Sequence, residues 1–289
     1  FISQFVTAQN VVSIKGTVFS GNEALEFVDK NSKAPFFLYL AVTIPHANNE
    51  FTLIKAEHGL EVPDYGIYAN KDWPNAQKGL AAMITRLDNG LAQIRAKLEK
   101  LGIDKNTIII FSSDNGSHSE GNNNPKFFNS NGGLRGQKRD LYEGGIRTPM
   151  IVYWPGTIKL GQVSNHISAF WDVMPTLAEV AGAPAPKRTD GISFLPTLLG
   201  KEQKQHDNLY WEFNEQGGKQ AVVKGNWKLV KLDLYTPEKT HLELYNLEND
   251  PSEQNEVSKK YPEIVVEMAT ILANEHKEDV NFPIHKVEK

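Results

Sequence analysis

The sequence predicts an α/β fold in two parts: a doubly wound, mainly parallel sheet flanked by helices over residues 1–200, then a small antiparallel sheet plus a helix over residues 201–289. Three observations carry this. Pro35 to Ile44 is a continuous apolar, β-rich run, the pattern of a strand covered on both faces. Leu80, Ile84, Leu87, Leu91, Ile94, Leu98 and Leu101 recur every three or four residues and stop at Gly102, which predicts a long amphipathic helix. Thr107 to Ser112 is a second apolar strand, so Phe36 to Ser112 reads as a strand–helix–strand crossover with parallel strands.

The remaining elements follow in order. Between the first strand and the helix, Ala47 to Asn75 is far longer than a connection within a compact domain, and loops of that length tend to carry function. Pro149 to Trp154 reads as a third short strand, and Asp172 as the cap of a helix running to Gly182. After Gly200 the period changes. Leu209 to Phe213, Gln220 to Val223, Trp227 to Leu232 and Leu242 to Leu247 read as an antiparallel meander, two strands of which join through Lys224-Gly225-Asn226. Pro262 can start a last helix that packs through Ile264, Val265, Met268, Ile271 and Leu272.

Composition narrows the function. With 40% hydrophobic and 23% charged residues the 289-residue chain has globular composition, and 31 Lys+Arg against 35 Asp+Glu gives no general attraction to nucleic acid or anionic lipid. The longest apolar run is too short for a membrane span, which takes about 20 residues. The absence of cysteine excludes disulfides, thiolate metal sites and a cysteine nucleophile within this chain. The chain opens at Phe1 without an initiator Met or a signal segment, so an upstream portion is expected.

Ligands of open parallel sheets bind beyond the carboxyl ends of the strands, where His46 and Asp114-Asn115 fall. The adjacent carboxylate and carboxamide are hard donors suited to Ca²⁺ or Mg²⁺, although Asp-Asn-Gly is equally good turn chemistry. A lone histidine after a strand is ordinarily a hydrogen-bonded structural residue. From Leu134 to Arg147 four cations, Arg135, Lys138, Arg139 and Arg147, lie among glycines that let a backbone approach an anion. On composition alone a solvated basic loop, paired through Asp140 and Glu143, fits as well.

Taken together these segments resemble the type I sulfatases. The likeness rests on Pro35-Phe36-Phe37-Leu38-Tyr39-Leu40 with Pro45-His46, on Ser113-Asp114-Asn115-Gly116, and on Gly136-Gln137-Lys138 followed by Tyr142 to Pro149. Asp172 to Leu177, Asp190 to Phe194, Glu243 to Leu247 and Asp250-Pro251 extend it over most of the chain. The resemblance implies an alkaline-phosphatase-like α/β fold that hydrolyses sulfate esters, with one Ca²⁺, or less readily Mg²⁺, clamping the sulfate and a formylglycine hydrate as nucleophile. It assigns Asp114 and Asn115 to the metal, Lys138 to the sulfate oxygens and His46 to the leaving-group oxygen, with His118 a weaker contact to substrate. A metal and an ammonium would stabilise charge on the sulfate oxygens, and a protonated imidazole would assist departure of the ester oxygen.

One departure is large. The Cys/Ser-x-Pro-x-Arg motif and the Asp-Asp metal pair of the family's N-terminal section, where its Lys-x-His motif also lies, have no match here. The expectation is therefore a C-terminal portion of a longer sulfatase, with formylglycine in the absent N-terminal section and the isolated fragment inactive. Self-association through the sheet edge exposed by truncation is expected as well. The implied substrate is a sulfated carbohydrate or other sulfate ester, and the implied location periplasmic or secreted. Two other readings compete: a phosphate mono- or diesterase of the same superfamily, whose two-metal members usually carry Asp-His where this chain has Asp114-Asn115, and a non-catalytic glycan-binding relative in which His46 and Lys138 would be idle.

Overall fold

The structure, a computed structural model, describes residues 11–16, by their backbone, and 22–284. In chain order its elements are β1 (Val11–Gly16), α1 (Asn22–Asn31), β2 (Phe37–Val42), α2 (Asn75–Leu101), β3 (Ile109–Ser112), α3 (Glu143–Ile146), β4 (Met150–Tyr153), α4 (Val173–Val180), α5 (Leu195–Leu198), β5 (Leu209–Phe213), β6 (Lys219–Lys224), β7 (Trp227–Leu232), β8 (His241–Asn246) and α6 (Pro262–Glu275). No helix among the described residues is long and apolar enough to cross a membrane. The sequence puts a boundary near residue 201. By contacts the chain groups into one unit of residues through Phe111, Ser119–Phe127 and Met150–Gln203, and a second of Ser112–His118, Phe128–Pro149 and Lys204 onward.

In the first unit β1 and β2 pair in parallel, from Val11 opposite Phe37 to Gly16 opposite Val42, with α1 as the crossover between them. This corrects the crossover expected from the sequence. β2 and β3 do not share a ladder; β3 pairs with β4 instead. Strand–helix–strand order fixes the elements but not which strand is the neighbour, and β2 finds its partner upstream. α1 and α2 cover β2 from one side, where Ala24, Val28, Ile94 and Leu98 are buried against Leu38 and Leu40. On the alternate positions Phe37 is 39% and Tyr39 50% exposed, so the strand is not covered on both faces among the described residues.

The long helix forms because its ends are well defined. It follows Pro74 and closes at Gly102, whose φ of 70° lets Ile103 N–H reach Leu98 O at 3.1 Å. Its first turns pack Ala76, Leu80 and Met83 on Ala47 and the fully buried Leu60, so the Ala47 to Asn75 loop is part of a core. Ile84 and Leu101, expected on the apolar stripe, are exposed. Asp172 also differs from expectation. Its carboxylate does not cap α4 but accepts the N–H groups of Ala169 and Ile192, each at 2.8 Å, tying the Asp190 to Phe194 segment to the start of the helix.

In the second unit β5 to β8 form an antiparallel sheet in sequence order, with Lys224 opposite Trp227 across a two-residue turn. Gly225 takes the first position of that turn with a φ of 54°. Both faces of the sheet are covered. Val222, Leu229 and Leu244 are buried against Met268 and Leu272 of α6. Ala221, Val230 and Tyr245, at the alternate positions, are buried against Leu141 and Tyr142. The segment that carries Lys138 therefore rests on the sheet.

Candidate functional site

Asp114 and Asn115 stand in a turn two residues past β3. Asn115 Nδ2 donates to Asp114 Oδ1 at 2.5 Å, and Ser113 Oγ donates to Asn115 O at 3.1 Å. The turn is fastened to the 134–147 segment by two backbone bonds: Gly116 N–H to Gly145 O at 2.9 Å, and Lys138 N–H to Ser117 O at 2.7 Å. Asn131 adds a clamp, accepting from Ser117 Oγ and donating to Gly136 O. The structure thus brings Asp114, Asn115 and the backbone of Lys138 together within one unit.

The glycines of this segment, together with Gly116, let backbones approach each other. A Cβ on Gly116 would lie 1.8 Å from Gly144 O, one on Gly144 2.5 Å from Arg135 O, and one on Gly145 2.2 Å from Asp140 O. Three stretches of chain meet there with no room for a side chain.

Arg135, Arg139 and Arg147 are engaged by neighbouring protein groups. Arg135 lies 3.8 Å over the Tyr142 ring and donates to Tyr245 Oη at 2.7 Å. Both tyrosines donate to Glu243 Oε2, and burial together with that carboxylate pushes both phenols well above their ordinary range. Arg139 reaches Glu215 at 3.5 Å and Arg147 reaches Glu143 at 3.7 Å. Asp140 pairs at 3.2 Å with the buried Lys219 of β6, which also donates to Arg139 O at 2.9 Å. Arg139 has a φ of 76°, and that contact holds its strained backbone beside Lys138.

His118 lies in the same unit, half-buried, just after the turn. His46 belongs to the first unit. It follows the cis Ile44–Pro45 bond; its Nδ1 is 2.6 Å from Ala47 O, which can only accept, so the ring proton sits on Nδ1. Nε2 faces Glu120 Oε2 at 3.5 Å.

Asp114 and Asn115 offer hard oxygens of the kind Ca²⁺ takes. A Ca²⁺ needs six to eight of them. Among the described residues no group of three or more His, Cys, Asp or Glu side chains gathers around a metal position, so the pair supplies two donors and does not complete a site by itself. Formylglycine finds no match: the 289 residues hold no cysteine and no Ser-x-Pro-x-Arg run.

Sequence reasoning missed Asn131 and Lys219, which hold the segment carrying Lys138, and Lys228 and Glu253, which meet each other beside Glu143. Lys219 and Lys228 sit on strands at the positions facing the segment, but alternation alone cannot tell a lysine facing a buried carboxylate from one facing water.

The family model Sulfatase matches residues 20–183, and the model for the N-sulphoglucosamine sulphohydrolase C-terminal region matches residues 135–278. The N-acetylgalactosamine-6-O-sulfatase of Bacteroides thetaiotaomicron is 30% identical over 269 residues, 87% of this chain and 49% of that protein. The steryl-sulfatase of Rattus norvegicus is 34% identical over 219 residues, 72% of this chain and 34% of that protein. Among solved structures, Ps i-CgsB in complex with k-i-k-neocarrahexaose aligns at a TM-score of 0.74 and 30% identity, over 88% of this chain and 53% of that one. The chain belongs to the sulfatase family. Its fold is the alkaline-phosphatase-like α/β fold of those structures, and it spans a third to a half of the length of these curated relatives.

Proposed function

We propose that the polypeptide containing this chain hydrolyses sulfate esters of carbohydrates, and that Asp114, Asn115, Lys138 and His46 are its contributions to the site. The observation that carries the reading is the pair of backbone bonds that fastens the Asp114-Asn115 turn to the Lys138 segment. Two oxygen donors and an ammonium-bearing residue are thereby held on one rigid support, as a tetrahedral sulfate requires.

Asp114 and Asn115 would supply two donors to a divalent cation, with Ca²⁺ favoured by the donor set. When bound, that cation draws charge from the sulfate oxygens. Lys138 neutralises the same oxygens as a point charge. His46, with Nδ1 committed to Ala47 O, would offer Nε2–H, when protonated, to the departing ester oxygen. A formylglycine nucleophile and export from the cytoplasm belong to the proposal on the strength of the family resemblance alone. A carbohydrate substrate is supported by the relative named for N-acetylgalactosamine 6-O-sulfate and by the structure holding a neocarrahexaose.

The test is sulfate release from 6-sulfated amino sugars and carrageenan oligosaccharides by the polypeptide expressed from the whole reading frame that contains these residues. Asp114→Ala should lower release about 100-fold or more. Release of phosphate but not sulfate would move the reading to the phosphate esterases, and binding without either would make it a glycan-binding relative. Self-association through Phe37 and Tyr39 is part of the same reading, supported by their exposure on one face of β2. Light scattering that finds only monomer at high concentration would remove that part.

A further inference from the structure

We propose that Lys228 is a positioning residue: from the face of the C-terminal sheet its ammonium aims the Glu143 turn, and through it fixes where Asp114 and Asn115 stand, an inference that rests on the site reading given above. Lys228 is completely buried, with Nζ 2.9 Å from Glu143 Oε1 and 2.9 Å from Glu253 Oε1. Glu253 is completely buried as well, and its Oε2 accepts the Glu143 N–H at 2.7 Å. Glu143 is thus held by side chain and backbone together. It opens α3, whose next two residues are the glycines that meet Gly116, and Gly145 O accepts the Gly116 N–H. The path from β7 to the turn of Asp114 and Asn115 is a run of direct contacts.

Two features separate this from a pair kept for stability. Desolvation offsets most of what a buried ion pair contributes, and apolar side chains of the same volume stabilise as well or better. Here one ammonium serves two carboxylates, with Arg147 at the rim, 3.7 Å from Glu143, to share the charge among the described residues. Such an arrangement is poor for stability but directional toward Glu143, to whose Oε1 Lys228 Nζ donates a hydrogen bond. Glu253 also has a φ of 53°, in the left-handed region that a glutamate adopts only under constraint. That backbone strain is retained where it presents the carboxylate to Glu143 and Lys228.

Site-resolved amide hydrogen exchange on this chain tests the proposal without depending on catalysis. In Lys228→Met the Gly116 and Lys138 amides, the two donors that fasten the turn, should exchange about tenfold faster or more, while α6 on the opposite face of the sheet keeps its protection. Adding Glu253→Gln removes the surplus charge yet leaves an acceptor for Glu143 N–H, and should restore both rates. Should Lys228→Met fail to fold, Glu143→Gln leaves Lys228 its Glu253 partner and should speed the same two amides several-fold. Unchanged rates at Gly116 and Lys138, or a uniform rise that includes α6, overturn the proposal. In the polypeptide from the whole reading frame, kcat for sulfate release should fall and recover in the same order. If the parent polypeptide releases no sulfate the functional reading fails, while the exchange rates still decide whether Lys228 positions the turn.

Discussion

Gly116 and Gly144 are packed backbone on backbone, so closely that a methyl group at position 116 would sit 1.8 Å from the Gly144 carbonyl oxygen. The turn of Asp114 and Asn115 therefore has one place to stand. Gly116→Ala should destabilise the chain by about 1–3 kcal/mol, as overpacking does where the opposing atom is backbone. Urea denaturation reads the loss, and a variant as stable as its parent would mean that the turn has room to shift.

Asp172 is completely buried and accepts two backbone N–H groups. Asp172→Ala leaves both amides without their acceptor and should cost about 2–4 kcal/mol. A loss below about 0.5 kcal/mol, the usual size for an exposed position, would show that these bonds hold nothing.

His276 closes α6 between two glutamates, with Nδ1 2.6 Å from Glu212 and Nε2 3.2 Å from Glu278. The hydrogen bond to Glu212 is the largest cause raising its pKa above the ordinary 6.5, with Glu278 adding to it and burial opposing. A raised pKa means that the stabilisation is fully present below 6.5 and lost as pH rises through the higher folded value. The stability difference between the parent and His276→Ala should therefore be larger at pH 5.5 than at pH 9, and an equal difference at both would contradict the pairing.

Lys219, in β6, holds Arg139 O and Asp140 beside Lys138 and is 8% exposed. Lys219→Met removes both contacts and should release the positive φ of Arg139. Exchange at the Asp140 amide, which bonds to Gln137 O at 2.8 Å, should rise selectively. No change there would leave Arg139 held by other contacts.

Where an element was legible, local chemistry settled it. The long helix has a period of 3.6 and a glycine at its end; the meander has alternation and a Gly-Asn turn; the last helix has Pro262 at its start. What the sequence left open was partnership. Nothing in Phe37 to Val42 says whether its neighbour lies upstream at β1 or downstream at β3, because both strands are short and either can supply the ladder. The motif residues Asp114, Asn115 and Lys138 are readable as a group, but the joint that Gly116 makes with Gly144 and Gly145 is not, because a glycine's spacing does not say which backbone it admits. Lys228 and Glu253 were invisible for a related reason: each gains its meaning only when the strand carrying Lys228 and the loop carrying Glu253 close on Glu143.

Contact between Lys138 and a sulfate oxygen is the central requirement of a sulfatase site built on this segment. The direct measurement is kcat/KM for sulfate release by the polypeptide from the whole reading frame, with Lys138 as it stands and as Lys138→Met. A fall of about 100-fold or more, with the fold intact by circular dichroism, is the result expected of a cation that stabilises transition-state charge. Release unchanged by the substitution would contradict the account.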